Sequence, residues 1–295
     1  MTIDKSTIFV LMPTYNHKEY LRSAVEGVMS QVVDVPIVLI IRDDASTDGT
    51  KELAQKLALR FPGRIELMIN EKNHFQTGNG AIAEILREIF IKGGRFAAKS
   101  WAGRLRTKRT AFIALCEGDD YWTDPQKLQK QLEVFRGNRS VRLVHHDVEI
   151  IVQLGSSRKY ADSLRSHLED FDSNFAKSNQ YYFRDGHNIM TCSAMFRASA
   201  INDLVLLGRP PGLAGDWILF ALICGRTRPH YIETRMATYR IHGSSYWSSK
   251  DEKERINAHM ATKEFLHSLL WEGSRNRIAH WRLRRELRTT QTFHN

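Results

Sequence analysis

Three carboxylates stand within four residues of one another in the run Glu-Gly-Asp-Asp at positions 117–120. The run follows directly on an apolar, strand-like segment, so Glu117, Asp119 and Asp120 are expected at the end of a buried strand. Carboxylates crowded in this way repel one another unless a cation lies among them. Hard oxygen ligands favour Mg²⁺ or Mn²⁺, which take their remaining ligands from phosphates and water.

An acidic turn that caps the following helix is the structural alternative for this run. Asp124 and Pro125, however, already supply a cap and a first helical position. Asp119 and Asp120 are then left without a structural role, and we interpret them as metal ligands.

A second acidic run, residues 43–50, also follows a strand-like segment and leads into a helical pattern. Asp48 and Thr50 are typical of residues that cap a helix. Asp43 and Asp44 precede the cap, where a carboxylate can accept an N–H of uracil or guanine. An aromatic ring and polar groups are expected nearby, from the end of the first strand: Pro13, Thr14, Tyr15 and Asn16.

Short apolar runs alternate with helical spacing along the first third of the chain, which predicts a parallel sheet flanked by helices. The predicted strands are residues 8–12, 36–41, 65–69, 111–116 and 141–144, and later 231–234. The predicted helices are residues 20–31, 47–59, 125–135 and 217–223. In such α/β sheets, ligands bind beyond the carboxyl ends of the strands.

Composition limits the function classes without selecting one. The chain has 295 residues, 42% of them hydrophobic, and a formal net charge of +10. This charge indicates an anionic partner, which could be nucleic acid, a membrane surface or a phosphorylated substrate. Three isolated cysteines indicate neither a disulfide framework nor a thiolate metal site. The absence of a glycine-rich phosphate loop argues against a P-loop kinase and a dehydrogenase.

The apolar stretches are too short to cross a bilayer and no secretory signal is recognised, so we expect a cytoplasmic protein. Basic residues are concentrated in residues 99–109, interpreted as a mobile loop, and in residues 275–288. The second segment also carries apolar residues, and it could lie on the inner face of a membrane or form a solvated basic helix.

The run His145-His146-Asp147 mimics a metal cluster. Adjacent side chains of a strand point to opposite faces, so convergence of two of these ligands on one ion is not expected.

Three groups of motifs, in this order, resemble glycosyltransferase family 2 with its GT-A fold: residues 13–16, residues 43–50 and residues 117–120. The later segments 191–196, 215–217 and 239–242 resemble further motifs of the family. The fold class implied is α/β, with a Rossmann-like, mostly parallel central sheet flanked by helices and a helical C-terminal tail. The activity implied is inverting sugar transfer from a nucleotide-diphosphate sugar, with a UDP-sugar favoured, to a hydroxyl of a glycan or lipid-linked acceptor in cell-surface polysaccharide synthesis.

The resemblance also implies roles for single residues. Pro13, Tyr15 and Asp44 would hold the base, and Asp120 would be the direct ligand of Mg²⁺ or Mn²⁺ beside Asp119. Asp216 falls where the family places its general base, although a helix N-cap is a competing interpretation. The remaining candidates are Thr14, Asn16, Asp43 and Trp217 as substrate contacts and His242 at the diphosphate or metal. The arginine that meets the diphosphate is not assigned; Arg42 and the arginines of residues 99–109 are candidates.

We expect residues 1–250 to form the catalytic domain and residues 251–295 a basic helical tail. Within the domain, residues 1–120 would bind the nucleotide-sugar and residues 121–250 the acceptor. Two other classes compete: a metal-dependent nucleic-acid phosphodiesterase or binder, and an inactive sugar-binding relative. No nucleic-acid-binding module is recognised in the chain.

Overall fold

Four parallel strands form the first half of the sheet. They are β1 (Thr7–Thr14), β2 (Ile37–Asp43), β3 (Ile65–Ile69) and β4 (Ala111–Leu115), in the order β3-β2-β1-β4. Every residue of β2 and β4 is buried. Parallel strands covered on both faces read as continuous apolar runs, which is why these segments could be predicted.

The second half of the sheet is mixed and continues from β4. Its strands are β5 (Tyr121–Trp122), β6 (Leu143–Leu154), β7 (Ser157–Ala161), β8 (Met195–Arg197) and β9 (His230–His242). β8 is antiparallel to β4 and β6, while β6 runs parallel to β9. β5 pairs with β9 at Ala237 and Thr238, and β7 pairs with β6.

Helices cover both faces of this sheet. They are α1 (Leu21–Met29), α2 (Thr50–Arg60), α3 (Ala81–Phe90), α4 (Lys127–Gly137), α5 (Gly215–Cys224) and α6 (Glu252–Leu266). Two apolar clusters result, because successive side chains of a strand point to opposite faces. Ile8 and Val10 belong to the cluster with α1, α2 and α4, whereas Phe9 and Leu11 belong to the one with α3 and α5.

The computed structural model describes residues 6–74, 81–90, 111–154, 157–161, 183, 187–202, 205–206, 212–225, 227–243 and 250–271. Two sequence predictions therefore fall outside the described residues, namely the basic loop 99–109 and the basic segment 275–288. None of the helices in the described residues combines the length and the apolarity needed to cross a membrane.

The predicted order of elements agrees with the structure, but several lengths do not. β6 and β9 are much longer than the apolar runs from which they were predicted, residues 141–144 and 231–234. α3 was not predicted. β7, over residues 157–161, was not predicted either; it pairs with β6.

α6 packs against α5 and anchors its start. A capping box between Asp251 and Glu254 begins the helix. From the buried face of α6, the Thr262 hydroxyl accepts a hydrogen bond of 2.9 Å from the Ala214 N–H, immediately before α5. The first part of the predicted tail thus supports the backbone that presents Asp216.

Candidate active site

The carboxyl ends of β1, β2 and β4 meet at one edge of the sheet, since the three strands are parallel neighbours. Thr14 at the end of β1 stands beside Asp43 at the end of β2. The Pro13 carbonyl accepts a hydrogen bond of 3.0 Å from the Gly118 N–H, which follows β4. The two acidic runs are thereby brought to the same edge.

Residues 117–120 form a tight turn, closed by a 3.1 Å hydrogen bond from the Asp120 N–H to the Glu117 carbonyl. The carboxylate oxygens of Glu117, Asp119 and Asp120 all lie within 4.8 Å of one another. Asp120 is only 1% exposed. Its Oδ1 accepts a hydrogen bond of 2.8 Å from the Arg240 N–H of β9, and its Oδ2 is buried without a partner among the described residues.

The electrostatics of this turn fit a divalent cation. Burial and the charges of Asp119 and Asp216 raise the pKa of Glu117 to about 8. Burial, with the charges of Asp119 and Glu117, raises the pKa of Asp120 well above its ordinary value. A cation among the three carboxylates would stabilise their charged forms and use the unpartnered Asp120 oxygen.

Two histidines face the outer side of Asp119. His242 Nε2 at the end of β9 lies 3.1 Å from Asp119 Oδ2, and His17 Nε2 lies 3.6 Å from the same oxygen. Burial raises the pKa of Asp119, but His17 and His242 outweigh burial and hold it below its usual value. The charged form of Asp119 is therefore favoured more than the charged forms of its two acidic neighbours.

The Arg240 guanidinium fastens the turn to β9. It donates to the Asp119 carbonyl and lies over two aromatic rings, 4.5 Å from the Tyr20 centroid and 5.2 Å from the Tyr121 centroid. Stacking of this kind fixes the plane of an arginine. The backbone and the side chain of one residue thus hold both aspartates.

Asp44 lies buried at the end of β2. Its carboxylate accepts hydrogen bonds from Asn70 Nδ2 at 2.6 Å and from the His74 N–H at 3.0 Å. The buried Arg42 lies 3.3 Å from the same carboxylate and also pairs with Glu84 of α3. Arg42 therefore faces two acids, which makes it a support for Asp44 more than a free cation for a diphosphate.

The loop after β2 is tied to the loop after β1. Asp43 is fully buried, and its carboxylate accepts hydrogen bonds from the N–H and the hydroxyl of Ser46. The Asn16 side chain links the two loops, because its Oδ1 accepts a hydrogen bond of 2.9 Å from the Thr47 N–H. Tyr15 remains 43% exposed beside these ties, so its ring is accessible to a flat ligand.

Asp216 stands in the first turn of α5, where its Oδ1 accepts a hydrogen bond of 2.9 Å from the Trp217 N–H. His187 Nε2 lies 3.5 Å from its Oδ2, and 42% of the side chain is exposed. Partial burial raises the pKa of Asp216, but His187 and the backbone N–H groups hold it below its ordinary value. The negative charge of Asp216 also contributes to the raised pKa of Glu117.

Residues 9–86 match the family described as Glycosyl transferase family 2. The resemblance to that family is confirmed. A Mycobacterium tuberculosis relative, named as uncharacterized protein Rv1520, is 28% identical over 80% of this chain and 59% of its own length. An uncharacterized glycosyltransferase of Nostoc sp. is 31% identical over 47% of this chain and 36% of its own. The chain spans less than two thirds of both relatives.

Among solved structures, the mannosyltransferase PcManGT from Pyrobaculum calidifontis, in complex with GDP-Man and Mn²⁺, is similar with a TM-score of 0.54. The likeness covers 88% of this chain and 69% of that one at 14% identity. At this identity the comparison bears on the fold alone, and the predicted GT-A fold is confirmed.

The family 2 match ends before the acidic turn. It contains Tyr15 and Asp44 but neither Asp120 nor Asp216. Trp217 is buried, and its indole N–H donates to the Phe183 carbonyl at 2.9 Å, so its ring belongs to the core beneath Asp216.

The neighbouring histidines of β6 are core residues. His145 packs against Tyr231 with ring centroids 5.1 Å apart. His146 Nδ1 contacts the Asp147 carbonyl at 2.7 Å, and the Asp147 carboxylate pairs with Arg235.

Three residues of the site were missed by sequence reasoning: His17, His187 and Arg240. His17 follows a recognised motif by one residue, so its position carried a signal. Arg240 stood inside a recognised motif, but nothing in its type indicated a contact with Asp119. His187 had no signal, because its neighbour Asp216 is 29 positions away in the chain.

Proposed function

We propose that this chain transfers a sugar from a nucleotide-diphosphate sugar to an acceptor hydroxyl with inversion, in cell-surface polysaccharide or glycan synthesis. The observation that carries the proposal is the convergence of Asp44 and the acidic turn at one edge of the GT-A sheet, with the charge of Asp216 contributing to the raised pKa of Glu117. A base-binding end, a cation-binding turn and an exposed carboxylate in this order match the parts of such a donor and its acceptor.

The donor end of the proposal rests on residues 1–120. The accessible Tyr15 ring stacks on the base, and the Asp44 carboxylate accepts a base N–H. Asp43 and Asn16 act indirectly, since their side chains hold the loops that present Tyr15. Pro13 and Thr14 form the strand end that separates the base from the acidic turn. A UDP-sugar is the favoured donor.

The acidic turn binds the diphosphate through a cation, Mg²⁺ or Mn²⁺. Such a cation supplies Lewis-acid stabilisation of the negative charge that develops on the leaving diphosphate. Asp120 and Asp119 would hold it, with His242 next to them. Their geometry is set before binding, because Arg240 holds the turn.

Asp216 is the general base on the acceptor side, within residues 121–250. Its pKa lies below the ordinary value, so it is charged and can accept the proton of the acceptor hydroxyl. Attack from the face opposite the leaving diphosphate inverts the anomeric carbon. The acceptor is a glycan or a lipid-linked sugar, and the segment 275–288 offers it a membrane contact.

A thermal-shift panel of UDP-, GDP- and dTDP-sugars, each with and without Mn²⁺, tests the proposal. A ligand that binds only the folded state raises the melting temperature. We expect one nucleotide to raise Tm by several degrees, and only with Mn²⁺ present. If none of them changes Tm, the proposed activity is wrong.

A further inference from the structure

We propose that His17 is a ligand of the cation at the acidic turn, and that His17 and His242 together make the site prefer transition-metal ions over Mg²⁺. The inference rests on the proposed function for the presence of a cation. It adds a ligand, and a selectivity, that the carboxylates alone do not supply.

Distances carry the first step. The ligand atoms of His17, Asp119 and His242 all lie within 4.8 Å of one another. His17 Nε2 and His242 Nε2 lie 3.6 Å and 3.1 Å from Asp119 Oδ2. Ligands held about 2.0–2.2 Å from one ion lie roughly 3–4.4 Å apart, and both spacings fall in this range.

The contact between His17 and Asp119 is too long for a hydrogen bond. N–H···O bonds span about 2.7–3.2 Å, whereas Nε2 of His17 faces the carboxylate from 3.6 Å. An orienting histidine would be expected to approach more closely. The 3.6 Å between His17 Nε2 and Asp119 Oδ2 is instead typical of two ligands of one ion.

The His17 ring is held in place by its neighbours. It packs edge-to-face against Tyr20 and His242, with centroids 6.5 Å and 6.1 Å away. It also lies over Gly118, where an added Cβ would be 3.0 Å from its Nδ1. Thr14 Oγ1 lies over the same glycine. Both Thr14 Oγ1 and His17 Nδ1 are buried and have no hydrogen-bond partner among the described residues. A ring fixed in this way presents Nε2 to Asp119.

Ligand chemistry carries the second step. Asp119 belongs both to the carboxylate group with Glu117 and Asp120 and to the histidine group. Mg²⁺ favours oxygen ligands, while imidazole nitrogens favour transition metals, whose affinities rise from Mn²⁺ to Co²⁺. Two imidazoles at Asp119 should therefore give affinities in the order Mg²⁺, Mn²⁺, Co²⁺.

Pulsed electron paramagnetic resonance of Mn²⁺ bound with UDP counts the imidazole nitrogens directly, without any substitution. We expect couplings from two histidines in the wild type, one in His17→Gln, and two in His230→Gln. His230 is a matched control, because it is exposed at the opposite end of β9 from His242. Circular dichroism confirms that each variant is folded.

Competition among MgCl₂, MnCl₂ and CoCl₂, each with UDP, measures the selectivity. His17→Gln should reduce the preference for Co²⁺ over Mg²⁺ by at least about tenfold, since even residues that only orient a metal ligand contribute about 10–100-fold to metal affinity. Nitrogen coupling from one histidine in the wild type, or an unchanged preference in His17→Gln, would overturn the role of His17. In that event the proposed function stands if Asp120→Asn abolishes Mn²⁺ binding. If the wild type binds no Mn²⁺ with any nucleotide, both the role of His17 and the proposed function are wrong.

Discussion

At Gly118 the backbone passes so close to β1 that a side chain has no room. An added Cβ would lie 2.7 Å from the Thr14 hydroxyl oxygen and 2.9 Å from the Thr14 Cβ. These distances are shorter than carbon contacts allow, and the Thr14 side chain is itself buried. The acidic turn reaches its position because residue 118 has no Cβ.

Gly118→Ala is accordingly expected to displace the turn from β1. Overpacking at a buried contact costs about 1–3 kcal/mol of unfolding free energy, and Mn²⁺ affinity should fall with it. Urea unfolding and Mn²⁺ titration with UDP measure both effects. Gly137→Ala is the control, because an added Cβ there meets nothing within 4 Å. Equal behaviour of the two variants would contradict the steric argument.

Asp216 is the residue on which the proposed chemistry depends most directly. Asp216→Asn keeps the shape and the acceptor of the Trp217 hydrogen bond but cannot take a proton. We expect transfer to fall by at least about 100-fold, in line with general-base contributions, while donor Kd stays within about threefold. Activity assays and calorimetric titration of the donor give the two values. Unchanged turnover would remove Asp216 from this role.

β9 is the element that turns an acidic run into a site. The strand is long enough to support the Asp120 carboxylate with the Arg240 N–H, the Asp119 carbonyl with the Arg240 guanidinium, and the Asp119 carboxylate with His242. Its pairing with β5 holds the chain just after the turn. β9 therefore holds both the acidic turn and the strand that follows it.

Arg240→Gln removes the guanidinium but keeps the backbone N–H. We expect Mn²⁺ affinity to fall by about tenfold, since the Asp119 carbonyl loses a charge-assisted hydrogen bond worth roughly 1.5–3 kcal/mol. Isothermal titration of Mn²⁺ in the presence of UDP checks this. Arg235→Gln, on the same strand but paired with Asp147, should bind Mn²⁺ as the wild type does. A loss of similar size in both variants would indicate a general effect on β9.

At the scale of the whole molecule, the sheet continues without a break from its parallel first half to its mixed second half. β6 occupies the middle of the second half and carries the buried His145 and His146. Burial, with nearby positive groups that include His187, His230 and Arg228, lowers the pKa of His145 to about 3. Burial likewise lowers the pKa of His146 well below its ordinary value.

Acidification should therefore destabilise the fold through β6. A histidine whose folded pKa is lowered contributes its full stability above the unfolded value of about 6.5, and that stability is lost as pH falls below it. The raised pKa of Glu117 acts in the opposite direction, so the informative quantity is a difference between variants. Relative to His145→Gln, the wild type should lose about 1.4 kcal/mol of unfolding free energy per pH unit below 6.5. Urea unfolding of both proteins at pH 7.5, 6.0 and 5.0 measures this difference in unfolding free energy. The same pH dependence in the two proteins would contradict the argument.

Much of the first half of the sheet could be predicted from the sequence. A buried parallel strand is a continuous apolar run, and the polar residues that follow such strands must lie at one edge of the sheet. The parallel sheet, and Asp44 and the acidic turn at its edge, were predicted on this basis, whereas the GT-A fold was implied by the resemblance to glycosyltransferase family 2. The lengths of β6 and β9 could not be predicted. Polar and charged residues such as His146, Arg235 and Arg240 interrupt their apolar pattern, and long-range pairing makes them strands.

The crowding of Glu117, Asp119 and Asp120 follows from the chain alone, since the three carboxylates are neighbours in it. Their surroundings follow from the tertiary structure. His17, His242 and Arg240 come from a loop after β1 and from the far end of β9, and their contacts with Asp119 arise from strand order and register. Local spacing does not encode a pairing across more than 100 residues, so the contacts of His17 and Arg240 with Asp119 emerged only with the folded sheet.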